Sequence, residues 1–219
     1  WEAESICRIV PPEVFRLYSI ASAMQPNSTE QTLNLIVGSL QYETPQTQYS
    51  FNERREGTAS SFLQRVTTTP EGEDKEVGIA IIPTMRFHLP HDPQRPIVMF
   101  AAGSGIAPFW GFQQARTQQA DSGENWLFFG TRTAKEIYYK NTFEQMEAKQ
   151  QLNLRAAFSR EDIAMRFEHG QYVYESGKRQ RIDRLMEMPH NAQALWELMR
   201  GIDNGGKGAY LYICGRTGF

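Results

Sequence analysis

Apolar and polar positions change rhythm near the middle of the 219-residue chain. Up to about His91 the apolar runs are short and separated by polar turns, and residues 15–21, 33–42 and 77–82 read as strands of an antiparallel sheet. Only 57–66 has helical character there. Pro90-His91-Asp92-Pro93-Gln94-Arg95-Pro96 then sets three prolines around a polar turn and marks a boundary. Beyond it strands alternate with helices: strands at 97–102, 126–130, 152–158 and 210–214, helices near 108–120, 140–150 and 192–201. That rhythm predicts a parallel sheet with helical crossovers. The expected fold class is α/β plus β, with an antiparallel, partial barrel in residues 1–93 followed by an open parallel α/β domain in 94–219.

The stretch that organises the second half is Ile97 to Arg116. Six apolar residues suit a strand buried on both faces, Gly103-Ser104-Gly105 turns the chain, and Pro108 opens a helix whose positive end faces back to the turn. Such a turn cradles phosphate. Paired glycines after an apolar run also occur in α/β proteins that bind no nucleotide. The other strand ends strengthen the nucleotide reading, because ligands of open parallel sheets sit at the carboxyl edge. These ends carry Gly130-Thr131-Arg132, Ser159-Arg160 and Cys214-Gly215-Arg216. Arginine offers paired donors to phosphate oxygens, so Ser159 and Arg160 suit a phosphate on an adenosine ribose, with Arg132 beside them. The alternative is that Arg132 and Arg160 are solvated surface charges. Cys214 likewise reads either as a small buried hydrophobe or as a site residue.

The first half has anion features of its own. In Arg16-Leu17-Tyr18-Ser19, Arg16 and Tyr18 share one face while Ser19 turns to the other. Gly57-Thr58-Ala59-Ser60-Ser61 opens the helical segment with small hydroxyl residues, which fits either a helix-terminus anion site or an ordinary cap.

Composition narrows the partners. Twenty-three Lys plus Arg against 25 Asp plus Glu give a net charge of −2, which offers no field for nucleic acid and no polybasic run for a membrane surface. The longest apolar runs are too short to span a bilayer. The two cysteines, Cys7 and Cys214, form no disulfide or metal framework, and the four histidines lack ligand spacing, so no metal is assigned. An intracellular location, cytoplasmic or cytoplasm-facing, is expected. Lys178-Arg179-Gln180-Arg181 with Arg184 reads as a solvated helix face, or as a docking surface for an acidic electron partner.

Six ordered motifs together resemble the ferredoxin-NADP reductase superfamily, and within it the diflavin reductases, the group of NADPH-cytochrome reductases and sulfite reductase flavoproteins. They are Arg16-Leu17-Tyr18-Ser19-Ile20-Ala21-Ser22, Gly57-Thr58-Ala59-Ser60, Gly103-Ser104-Gly105-Ile106-Ala107-Pro108-Phe109, Phe128-Phe129-Gly130-Thr131-Arg132, Ala157-Phe158-Ser159-Arg160-Glu161 and Tyr212-Ile213-Cys214-Gly215. The resemblance implies FAD and NADPH as cofactors. Arg16 would bind the FAD pyrophosphate, Tyr18 would lie against the isoalloxazine and Ser19 would offer its hydroxyl near flavin N5. Gly57 to Ser60 would close over the pyrophosphate. Tyr42 stands where the group stacks a tyrosine on adenine, or packs as a strand residue. Gly103, Ser104 and Gly105 would take the pyrophosphate of NADPH, Arg132 and Arg160 its adenosine-side phosphates, Ser159 the 2′-phosphate, and Cys214 would sit beside the nicotinamide.

The resemblance further implies electron transfer from NADPH through FAD to a carrier such as an FMN, heme or iron-sulfur protein. Departures are expected to matter. Arg216-Thr217 replaces an acidic and a small residue, and Arg166 with Tyr172-Val173-Tyr174 stands in for the group's lysine and Tyr-Val-Gln run, around an insertion at His169-Gly170. Few residues precede Arg16 and few follow Cys214, so the expectation is a piece of a longer chain, or a natural truncation, that binds FAD poorly alone. Two other functions compete: a dinucleotide-binding or docking module without chemistry, and an NADH-dependent cytochrome reductase of the same superfamily.

Overall fold

The computed structural model describes residues 2, 4, 5, 8, 15–46, 53–68, 76–119 and 121–215. Contacts gather the chain into two compact units, one of Trp1–Tyr18 and Val37–Gly78, the other of Ser19–Ile36 and Ile79–Phe219.

In the smaller unit, β1 (Gln41–Glu43) pairs antiparallel with β2 (Arg54–Glu56), and α1 (Thr58–Thr67) follows. The Gly57 N–H donates to the Leu40 carbonyl at 2.8 Å, tying the helix start to the ladder. The helix is where its pattern predicts. The strands are not. Residues 15–21, 33–42 and 77–82 are mostly irregular and retain β1 and an isolated bridge between Ile20 and Leu35. Alternating apolar residues offer a face to bury, but a strand also needs a neighbour for its amides and carbonyls. Phe15 and Leu17 accordingly stay 90% and 80% exposed. The described residues contain no closed barrel.

The larger unit is built on a four-stranded parallel sheet of β3 (Ile97–Ala102), β4 (Asn125–Thr131), β5 (Asn153–Phe158) and β8 (Tyr210–Cys214), in the order β5-β4-β3-β8. Side chains of β3 alternate between two cores. Ile97, Met99 and Ala101 face Phe109 and Phe143, while Val98 and Phe100 face Ile182, Leu195 and Leu198. Burying each large apolar side chain contributes roughly 1.5–3 kcal/mol, which makes β3 the anchor of the unit. The helices α2 (Ala107–Thr117) and α3 (Lys140–Ala148) cover the first face; α4 (Ile182–Met186) and α5 (Pro189–Met199) cover the second. The chain therefore winds outward from β3 on one face and returns to β8 on the other, so the strand order reverses between β3 and β8.

Two details differ from the sequence pattern. Between β5 and α4 lies a hairpin, β6 (Ile163–Glu168) and β7 (Gln171–Ser176), whose turn is the insertion His169-Gly170. Both turn residues have positive φ, 50° and 82°, the two-residue turn that matches strand twist. Residues 178–181 form a loop, not the expected helix face, because the chain reaches helical torsions only at Ile182. The aromatic residues of α2 pack inward: Phe109 is fully buried, and Trp110 stacks on Tyr139 at 4.1 Å. No helix among the described residues is long and apolar enough to cross a membrane.

Candidate dinucleotide site

Strand register brings the site together. Ala102 lies opposite Gly130, Gly130 opposite Ala157, and Ala101 opposite Cys214. The residues that follow each strand thus leave the sheet along one carboxyl edge, at and beside the point of reversal between β3 and β8.

At that point Gly103 to Ile106 form a single 3-10 turn that runs into α2, with Gly103 at φ +53°. A Cβ on Gly105 would stand 2.1 Å from the Cys214 carbonyl oxygen. No other residue lets the turn and the end of β8 come this close. Pro108 lies in the first turn of α2, no side chain caps that end, and the Ala107 N–H donates to the Ser104 carbonyl, so the glycine turn and the helix form one continuous segment that starts at Gly103.

Cys214 is half-buried, and burial pushes its thiol above the usual cysteine range while a hydrogen bond from Ser19 works the other way. Ser19 reaches the sheet because 19–36 packs onto α2. Ala21 is fully buried, and Ala23 N–H donates to Gln114 Oε1 at 2.9 Å. A Cβ on Gly111 would stand 3.1 Å from the Ser22 carbonyl oxygen, so the small residue admits the segment. Of the two expected catalytic residues, Ser19 thus lies near enough to Cys214 to act on its thiol.

Farther along the edge, a hollow of about 400 Å³ is lined by Arg132, Ser159, Arg160, Arg179, Gln180 and Arg181. Three of these are the expected trio. Ser159 N–H donates to the Thr131 carbonyl at 3.0 Å and Arg160 N–H to the Arg132 carbonyl at 2.9 Å, so the ladder holds both loops side by side beyond the strand ends. Glu136 pairs with the Arg132 guanidinium at 2.6 Å and accepts from Thr131 Oγ1 and the Arg132 N–H, both at 3.1 Å. Burial pushes its carboxyl up, but those hydrogen bonds outweigh it and hold the group below its ordinary range. The remaining three, Arg179, Gln180 and Arg181, belong to the cluster expected as a solvated helix face or a docking surface, and here they line the hollow. Gln180 N–H donates to the Phe158 carbonyl at 2.8 Å and brings the segment after the hairpin back to the end of β5. No carboxylate lines the hollow, whose chemistry suits a phosphate.

Arg166, expected near this phosphate, instead pairs with Glu168 at 3.2 Å and Glu175 at 2.9 Å on the hairpin. Tyr172 of the same motif is buried, with its phenol pushed up by burial and by Glu147. Arg216 lies outside the described residues, as does Cys7.

In the smaller unit, Arg16 is exposed, Tyr18 is half-buried and Tyr42 is exposed opposite Arg55. No side chain caps α1 at Gly57. Thr58 is exposed and Ala59 half-buried. Ser60 is buried, and its hydroxyl donates to the Gly57 carbonyl at 3.0 Å and accepts from Leu40 N–H at 3.3 Å. It shapes the helix start from behind.

Residues 99–219 match the family model described as the oxidoreductase NAD-binding domain. The chain is 31% identical over 216 residues to the "Sulfite reductase [NADPH] flavoprotein alpha-component" of Shewanella sp. (strain ANA-3), covering 98% of this chain and 30% of that protein. Its namesake from Klebsiella pneumoniae is 34% identical over 215 residues, with the same coverage. That of Vibrio parahaemolyticus is 35% identical over 201 residues, covering 91% of this chain and 27% of the relative. The chain thus spans about 30% of the length of these relatives. By the family match and by these likenesses, the chain belongs to the oxidoreductase NAD-binding domain family and falls with the diflavin reductase group.

Proposed function

We propose that this chain is a module of an FAD-containing oxidoreductase that accepts hydride from NADPH and passes electrons to a downstream carrier, an FMN, heme or iron-sulfur protein. The observation that carries this reading is the strand register that gathers the glycine turn, the arginine hollow and Cys214 along one carboxyl edge, with Ser19 near enough to act on the thiol. Ser19 is the residue assigned to the flavin side and Cys214 the residue assigned to the nicotinamide side. The relatives' printed name supplies NADPH and flavoprotein.

The residues present fit a pyridine dinucleotide. Gly103, Ser104, Gly105 and the start of α2 hold its pyrophosphate, where a Cβ on Gly105 would strike backbone. Arg132, Ser159 and Arg160 take the adenosine-side phosphates, with Ser159 on the 2′-phosphate. Cys214 stays a neutral thiol, places an apolar sulfur beside the nicotinamide and keeps water from it. Ser19 orients its hydroxyl toward flavin N5. Arg16 and the uncapped start of α1, Gly57 to Ala59, hold the FAD pyrophosphate, and Ser60 supports that turn. Tyr18 lies against the flavin ring and Tyr42 on the adenine. FAD, when bound, supplies the hydride acceptor and releases electrons singly.

On this reading residues 1–93 belong to the flavin barrel and 94–219 to the NADP domain, within a reducing, cytoplasm-facing compartment. Calorimetric titration of the chain with NADP⁺ and NAD⁺ tests it. NADP⁺ is expected to bind at least about tenfold tighter, the contribution of a charge-assisted phosphate contact. Equal affinities overturn the 2′-phosphate role. In a second arm, NADPH added without oxygen to the FAD-saturated chain bleaches the visible flavin absorbance. Unchanged colour leaves a dinucleotide-binding module without the redox step.

A further inference from the structure

We infer that Arg181, on the loop that follows the β6–β7 hairpin, joins Arg160 as a specificity-determining ligand of the 2′-phosphate, and that Asp162 positions the loop for this role. The inference rests on the reading of the hollow as the adenosine end of the dinucleotide site.

The four guanidiniums of the hollow differ in their charge pairing. Arg132 is engaged by Glu136 at 2.6 Å and Arg179 by Asp162 at 3.4 Å. No ion pair holds Arg160 or Arg181 among the described residues, which leaves two uncompensated positive charges facing one cavity. A phosphate monoester carries about −1.5 to −2 charges at neutral pH and offers three acceptor oxygens. Two unpaired forks match that demand, whereas Arg132, held by Glu136, is left to the other adenosine-side phosphate and Arg179, held by Asp162, walls the cavity.

The loop is held in place from several sides. Gly177 N–H donates to the Asp162 carbonyl at 3.0 Å, Arg179 N–H to Asp162 Oδ1 at 3.1 Å, and Gln180 N–H to the Phe158 carbonyl. A Cβ on Gly177 would stand 2.7 Å from the Ala164 amide nitrogen, so glycine alone lets the loop leave the hairpin this close to β6. Asp162 thus fastens backbone at Gly177 and Arg179, and Gln180 docks beside the residue that precedes Ser159. Arg166 cannot serve instead, since Glu168 and Glu175 neutralise it on the hairpin. Arg181 supplies the cation that the Arg166 position does not.

The test compares adenosine 2′,5′-bisphosphate with adenosine 5′-monophosphate, titrated calorimetrically into the chain and its Arg160→Ala, Arg181→Ala, Arg181→Lys and Asp162→Ala variants. Arg181→Ala is expected to weaken the bisphosphate roughly 10- to 100-fold and to spare the monophosphate, with Arg181→Lys intermediate. Asp162→Ala is expected to weaken the bisphosphate less, by about three- to tenfold, again sparing the monophosphate. If Arg160→Ala weakens the bisphosphate and neither Arg181 variant does, the reading of the hollow stands and this inference falls. If Arg181→Ala weakens both probes alike, Arg181 does not read the 2′-phosphate and the inference also falls. If the unaltered chain does not distinguish the probes, the adenosine-end reading fails and takes the inference with it. Arg181 is exposed and lysine keeps its charge and an aliphatic stem, so that variant carries the test even where alanine perturbs the loop.

Discussion

Cys214 shows how two residues distant in the sequence define one chemical environment. Burial raises its thiol and Ser19 partly offsets that, so the group is neutral near pH 7 and suits an apolar neighbour of a nicotinamide ring. Because the folded value lies above the unfolded one, the neutral thiol contributes stability that is complete below the ordinary cysteine range and is lost as pH rises through the raised value. On a Cys7→Ser background, iodoacetamide alkylation of Cys214 should have its midpoint above that of a free thiol. Ser19→Ala should move it higher still, since the substitution removes the lowering interaction. A midpoint at the ordinary value, or one displaced downward by Ser19→Ala, would contradict that interaction. Ser60 makes the opposite point. Its hydroxyl matches a phosphate-loop motif in sequence, yet its bonds to Gly57 and Leu40 make it a brace.

At the scale of elements, the glycine turn and α2 determine what approaches β8. Gly105→Ala should destabilise the larger unit by about 1–3 kcal/mol in urea denaturation, since a Cβ would overlap backbone, and should abolish NADP⁺ binding. Gly103 has open space around its Cβ position but a φ of +53°, so Gly103→Ala meets only torsional strain, about 1–2 kcal/mol. The ordering of these two variants checks the close approach. The far end of α2 carries a different device. Arg116 is almost fully buried, its guanidinium is pushed down by burial, and it donates to the carbonyls of Gly123 at 2.8 Å and Arg95 at 3.1 Å. Arg116→Met should cost about 1–3 kcal/mol through those orphaned carbonyls, with little effect on dinucleotide affinity.

Across the whole molecule, both apolar core clusters of the described residues lie in the larger unit, so the two compact units differ in what holds them together and predict unfolding that a single transition does not describe. A ligand of the carboxyl edge stabilises only the unit that owns that edge. NADP⁺ at a hundred times its Kd should add about 2.7 kcal/mol to the larger unit. Amide exchange should then slow at β3, β4, β5 and β8 and remain unchanged at β1, β2 and α1. Slowing spread evenly over both units would show that the ligand does not bind where the arginine hollow and the glycine turn lie.

Much of the larger unit was legible because its signals are local. A buried apolar run, a glycine pair and a proline lie within twenty residues at Ile97 to Arg116, and the torsions they permit are properties of those residues alone. The hairpin also left a mark, the alternation of Ile163, Met165 and Phe167 with Ala164, Arg166 and Glu168 ahead of His169-Gly170. The strands expected before His91 did not form as drawn, because alternation specifies a face and says nothing of the neighbour that completes a ladder. Residue types at the strand ends therefore determined that an anion could be held along this edge. Which arginines remain unpaired there was decided only in three dimensions, where Glu136 and Asp162 engage Arg132 and Arg179 and leave Arg160 and Arg181 facing the hollow. Charge pairing depends on distance, and the chain sets those distances only once it has folded back on itself.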